Sequence, residues 1–219
     1  HRRWGAMLAV VAALLVSLAT SASAWAEETI VVTTTEDLSA ETCMTLDGQC
    51  SLREAIEAVN EGEVSGEVVI EFNVTGTISL RHESVLEIDP DSSVSSVAIV
   101  GPGAAQLTIE GNKEDEVFEV KKGDVSFSGL TIKHGSTWHS GGGAIYQRNG
   151  EVSLEHMVLT ENVATQGAKG GAIYQDDGNL LIVDSTISNN KAESNFANNG
   201  GEGGAIYENT DSGNTLTIE

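Results

Sequence analysis

The chain has 219 residues, 40% of them hydrophobic, with 33 Asp and Glu against 11 Lys and Arg and a formal net charge of −22. That apolar content supports one folded domain and excludes an intrinsically disordered chain. The acid excess repels phosphate backbones and anionic lipid surfaces, so nucleic acid is excluded as an expected partner.

Residues 1 to 26 combine Arg2 and Arg3, an apolar run from Met7 to Ala19, and the small-residue cleavage patterns Ala22-Ser23-Ala24 and Ala24-Trp25-Ala26. This is the pattern of a secretory signal peptide, too short to read as a membrane span. No second long apolar run is present, so no membrane span is expected in the visible mature chain. Export places the two cysteines, Cys43 and Cys50, in an oxidising compartment, where a local disulfide is expected.

An N-terminal cap is expected over residues 27–66. Its helix runs from Ser51 to Asn60, with Ser51 and Glu54 forming a capping box and Leu52, Ala55, Ile56 and Val59 sharing one face. An amphipathic helix at this point is expected to cover the exposed N-terminal end of a β-rich body. Arg53 and Glu54 are read as cap and surface residues, not catalytic ones.

From residue 67 to 219 the chain repeats. Val125 to Ile132, Val152 to Leu159 and Leu180 to Ile187 overlay at an interval of 27 to 28 residues, and earlier copies start at Val68 and Val97. Each unit holds three short alternating runs rich in β-branched residues, separated by Gly, Asn, Asp and Ser. A self-similar unit of this length is a solenoid coil. The expected fold is all-β, a single-stranded parallel β-helix of about 28 residues per coil, truncated at its C-terminus. Right-handed coiling is expected from known members of that fold.

Asn112, Gly135, Asn162 and Asn190 recur three residues after the second run of each coil. Gly and Asn tolerate a left-handed backbone, so this column predicts a repeated sharp bend with an Asn side-chain ladder. Gly-Gly-Ala-Ile-Tyr recurs at Gly142, Gly170 and Gly203. If Ile145, Ile173 and Ile206 point inward, alternation turns Tyr146, Tyr174 and Tyr207 outward as a column beside Gln147, Gln175 and Glu208. Such rings meet a sugar face or a partner protein, or stack on one another and stabilise the coil. Trp138, in the excursion from Ser136 to Gly141, joins them as a candidate binding residue, and Asn195 to Glu202 forms a second excursion.

Catalytic and metal constellations are weak. Glu71 and Glu155 fall on one outward column but three coils apart, about 14 Å at strand spacing, beyond the roughly 5 to 9.5 Å of paired glycosidase carboxylates. Glu110, Lys133, Thr160 and Ser188 on the second column supply no pair. Asp176-Asp177 reads as a turn. His82, His134, His139 and His156 lack ligand spacing. No cofactor is expected; Ca²⁺ remains open at the oxygen-rich loops 113–116 and 209–214.

Val32-Thr33-Thr34-Thr35-Glu36-Asp37 leading to Cys50-Ser51-Leu52-Arg53-Glu54-Ala55 resembles the CSLREA N-terminal module of bacterial secreted proteins. The Gly-Gly-Ala-Ile repeats, with Phe196-Ala197-Asn198-Asn199 as a Phe-x-x-Asn motif, resemble those of polymorphic outer membrane proteins and related right-handed β-helix surface proteins. The resemblance implies a secreted or cell-surface bacterial protein, often an adhesin or autotransporter passenger, with an outer-membrane anchor beyond the visible C-terminus. The expected function is adhesion or recognition of an extracellular glycan or protein. Two alternatives stand beside it: a polysaccharide lyase or glycoside hydrolase of the pectate-lyase-like type, and a purely structural stalk.

Overall fold

The computed structural model describes residues 27–39, 43, 48–81, 85–113, 115–138, 141–193, 201–209 and 213–219. The signal peptide, His82, His139 and Phe196 to Asn199 lie outside the described residues.

The repeat winds into a parallel β-solenoid. Its first sheet has seven strands in the order Glu28–Val32, Gly66–Phe72, Val94–Val100, Asp124–Ser128, Glu151–Glu155, Asn179–Val183 and Thr215–Ile218. The second stacks Gly76–Ser79, Leu107–Glu110, Thr131–Lys133, Val158–Thr160 and Thr186–Ser188. The third stacks Leu86–Ile88, Phe118–Val120, Ile145–Gln147, Ile173–Gln175 and Ile206–Glu208. All of these neighbours pair in parallel, as the repeat predicts.

The register matches the sequence overlay. Leu154 stands opposite both Phe127 and Ile182, and the same file continues through Ile99 and Ile70 to Ile30. Ile70, Ile99, Phe127 and Leu154 are wholly buried, each contributing about 1.5–3 kcal/mol by leaving water. Because alternation has period two, a slip of one residue would turn every such file outward.

Three features differ from expectation. A fourth sheet of two-residue strands, Ser136–Thr137, Val163–Ala164 and Lys191–Ala192, sits between the second and third, giving the coil a further corner. The strand Glu28–Val32, inside the expected cap, joins the first sheet as its end strand. The left-handed backbone does not fall on Gly135, Asn162 and Asn190 but one residue earlier, with φ of 56° at His134, 57° at Glu161 and 56° at Asn189. In the coil before these it falls on Lys113, after Asn112. The reason is a division of labour: the residue in the bend turns the chain, and the next residue sends its side chain back across the coils.

That side-chain ladder is present. Asn162 is fully buried; its Oδ1 accepts from the Gly135 N–H at 2.9 Å, and its Nδ2 donates to the Ile132 carbonyl at 3.2 Å and to Asn190 Oδ1 at 3.0 Å. Asn190 Oδ1 also accepts from the Asn162 backbone N–H at 3.0 Å, and Asn190 Nδ2 donates to the Leu159 carbonyl at 2.9 Å. The amides thereby satisfy corner N–H groups beyond the ladder and tie each corner to the strand before it.

Helix α1, Leu52–Asn60, has Ser51 as its N-cap, with both halves of the capping box formed to Glu54. Its apolar face packs on Glu28–Val32 and Leu86–Ile88, the end strands of two sheets, and so covers the end of the stack. Cys43 and Cys50 are joined as a disulfide just before it. The surface role expected of Arg53 is corrected: its Nε and Nη2 donate to both oxygens of buried Asp37 at 2.8 and 3.2 Å, and Nη1 donates to the Val85 carbonyl at 3.0 Å. Asp37 accepts in addition from the Arg81 N–H at 2.8 Å. A forked guanidinium suits this bidentate contact, which fastens the cap to the first coil.

Candidate recognition surface

The third sheet and the corner before it position the tyrosines. Gly170 has a φ of 70°, and a Cβ on Gly171 would lie 2.2 Å from the Gly204 carbonyl oxygen. The first glycine of the pentapeptide therefore makes the bend and the second lets adjacent coils touch. The next Ile enters the core, and Tyr146, Tyr174 and Tyr207 stand in register on the outer side, continuing the column that begins with Glu87 and Glu119.

The rings pack on one another. Tyr146 and Tyr174 are stacked with centroids 5.2 Å apart and planes 2° from parallel; Tyr207 meets Tyr174 edge-on at 5.3 Å. Arg148 stands 5.0 Å from the Tyr146 ring centroid while its Nε bonds Glu119, and Lys169 Nζ lies 4.2 Å from the Tyr207 ring and donates to its hydroxyl at 2.8 Å. Lys169 also pairs with Glu202 at 3.0 Å. Of the two readings of the column, mutual stacking is the one the rings adopt: Tyr146 is only 5% exposed, and Tyr174 and Tyr207 are half-buried. Successive rings 5 Å apart gain more from facing each other than from facing water.

Asp176 ties the hydroxyls together. It accepts from Tyr174 at 3.2 Å, from Tyr146 at 3.5 Å and from Asn209 Nδ2 at 3.0 Å. Burial, then the Asp176 charge, pushes Tyr174 up to about 12 and shifts Tyr146 in the same direction. Lys169 is raised by its hydrogen bonds to Tyr207 and Glu202. The Tyr146 and Tyr174 phenols and the Lys169 ammonium thus hold their protons more tightly than usual.

Gln147 and Gln175 are not surface neighbours of the rings. Both are fully buried, because alternation that sends Tyr outward sends the next residue inward. Their Nε2 groups donate to Gly150 and Asn179 carbonyls and to Gly178 and Thr215 carbonyls respectively, bracing the adjoining corner. Trp138 does stand out from the wall, 49% exposed, on the excursion entering this third-sheet corner. Gly141, at the far end of the same excursion, bridges to Lys169 and lies against the Tyr174 ring. The indole and the tyrosine column therefore belong to one corner of the solenoid.

The structure also assembles a cluster that the linear spacing hides. His134 Nδ1 lies 2.7 Å from Glu110 Oε1 and its Nε2 lies 2.8 Å from Glu161 Oε2, across three successive coils. Lys133 adds a contact to Glu110 at 3.5 Å. Glu110 ends its strand in the second sheet, whereas His134 and Glu161 occupy the left-handed bends beyond that sheet; only a correct placement of those bends would have revealed the set. Both ring nitrogens face carboxylates, so both are engaged within the wall. The imidazole so bridges side chains from three successive coils. Among the described residues no group of three or more His, Cys, Asp or Glu is arranged to hold a metal ion.

Residues 184–207, which run from the bend before the second sheet to the third Tyr of the column, match the Chlamydia polymorphic membrane protein repeat. That match and the solenoid agree with the resemblance to polymorphic outer membrane proteins. No curated protein and no solved structure matches the chain. Among the described residues no helix is long and apolar enough to cross a membrane.

Proposed function

We propose that this chain is the solenoid part of an exported bacterial surface protein, associated with the outer membrane, that adheres to or recognises an extracellular glycan or protein. The observation that carries the reading is Trp138, a 49% exposed indole on an excursion that abuts the tyrosine column. A large rigid ring projecting from a braced wall is the kind of residue on which recognition energy concentrates. The stacked tyrosines support that corner with their edges and hydroxyls, since their faces are occupied by one another. The repeat match supports surface display, because it joins this architecture to a family of membrane proteins.

Binding of the purified chain to a glycan array and to intact eukaryotic cells tests the reading. Saturable binding is expected, weakened at least about 10-fold by Trp138→Ala, with the thermal midpoint unchanged. Absence of saturable binding on every surface would leave the structural stalk as the better account. Release of reducing ends or unsaturated uronides would replace recognition with catalysis and direct attention to Glu110, His134 and Glu161.

A further inference from the structure

The segment joining the first and second sheets carries Glu71-Phe72-Asn73-Val74-Thr75, the one Asn-x-Ser/Thr sequence among the chain's 13 asparagines. We propose that Asn73 is an acceptor for N-linked glycan, attached during export. The strand Gly66–Phe72 ends just before Asn73, where the chain bends, and the Asn73 N–H still donates to the Val32 carbonyl at 2.9 Å. Exposure still alternates: Glu71, Asn73 and Thr75 are on the outer side, where all three are exposed, while Phe72 and Val74 turn toward the core.

Asparagine at a solenoid corner usually bonds backbone, as Asn162 and Asn190 do. Asn73 makes no side-chain hydrogen bond among the described residues, nor does Thr75, so neither the amide nor the hydroxyl is committed to the fold. Amide, hydroxyl two residues on, and surface position are the three elements an N-glycan transferase reads. Glu71, two residues ahead on the same side, supplies the acidic residue favoured in the bacterial form of this transfer. Gly76, with φ of 102°, turns the chain immediately afterwards and leaves the acceptor at a convex corner.

The donor is an oligosaccharide linked through pyrophosphate to a polyprenyl carrier. Asn73 Nδ2 bonds to the anomeric carbon as the bond from that carbon to pyrophosphate oxygen breaks. The carrier pyrophosphate leaves with the electron pair, and the amide loses one proton to base. The resulting glycan would stand at the first-to-second-sheet corner, across the coil from Trp138, and so would shield the N-terminal coil without covering the recognition corner.

The test is export of the full chain in a bacterial host bearing an oligosaccharyltransferase and its lipid-linked donor, with a known acceptor protein as internal control. Only chain with its two cysteines oxidised, the sign of export, is analysed by intact mass. One oligosaccharide increment is expected, lost in Asn73→Gln and Thr75→Ala and reduced in Glu71→Gln, with unchanged thermal midpoints in all three. An unmodified chain beside a fully modified control, or an increment that survives Asn73→Gln, overturns the proposal. Neither result bears on whether the Trp138 corner binds, which is measured separately on unglycosylated chain.

Discussion

Replacing Asn162 with Ala tests the claim that side-chain amides, not the bend residues alone, hold the second corner. The substitution orphans the Gly135 N–H, and removes the amide's second bond to the Ile132 carbonyl and its link to Asn190. A buried polar group left without a partner costs about 1–3 kcal/mol. With the lost amide link this gives a loss of about 2 kcal/mol, or a fall of about 4–8 °C in melting temperature for a domain of this size. Thr160→Ala is the matched control, because Thr160 lies two residues away on the outer side and its hydroxyl meets only Ser188 at 3.4 Å; its expected effect is within about 0.5 kcal/mol. Urea and thermal unfolding followed by circular dichroism compare the two. If Asn162→Ala is as mild as Thr160→Ala, the ladder is ornament and the reasoning about corners fails.

Arg53→Met removes the bidentate partner of the buried Asp37 carboxylate, and the expected loss is about 3–5 kcal/mol by urea unfolding. Cys43→Ser removes a disulfide that closes a short loop; the chain-entropy account gives a loss of about 2.5 kcal/mol, and reductant should lower the wild-type melting temperature equally. Glu116 is raised by burial first and by neighbouring acids next, so its unfolded carboxyl ionises before its folded one and the group costs stability as pH rises above the usual carboxylate range. Glu116→Gln should accordingly be more stable than wild type near neutral pH and match it in acid. Glu110 runs the other way: its bond to His134 lowers it, so its contribution is full above the usual carboxylate range and fades as pH falls through the folded value. His134→Gln should flatten that acid-side loss in urea midpoints measured between about pH 6 and pH 3.

The core was legible in sequence because solenoid stacking obeys two simple rules at once. Side chains alternate along each strand, and like positions recur every coil, so Phe127, Leu154 and Ile182 could be set above one another from spacing alone. The cap was legible for a local reason, the Ser51 and Glu54 box. The corners were harder, since any short polar residue can occupy a loop and only φ reveals which one turns the chain. Placing the bend at Asn162 when it falls on Glu161 also hid the Glu110, His134 and Glu161 cluster, whose members meet only because the bends lie where they do. Burial of Gln147 and Gln175 was implied by the same alternation that turned the tyrosines outward, but polar chemistry argued for the surface and the period was the better guide.

The outer column of the third sheet shows how such a wall changes its surface chemistry without disturbing its core. Its inward partners, Phe118, Ile145 and Ile173, are all wholly buried, and the main-chain ladder is indifferent to the side chains that project on the other side. Glu87 and Glu119 occupy the first two outward positions and are countered by Lys121 and Arg148, whereas the next three hold tyrosines. The exchange from acid to aromatic leaves the core untouched, because each outward position answers only to its neighbours one coil away. Once one ring stands there, a second above it gains a stacking partner about 5 Å away, and a run of like residues becomes self-supporting. In the proposed reading, recognition falls to an exposed residue on the adjoining excursion, and Trp138 is 49% exposed there. Under the proposed role, Trp138→Ala should weaken binding at least about 10-fold while leaving the melting temperature where it was.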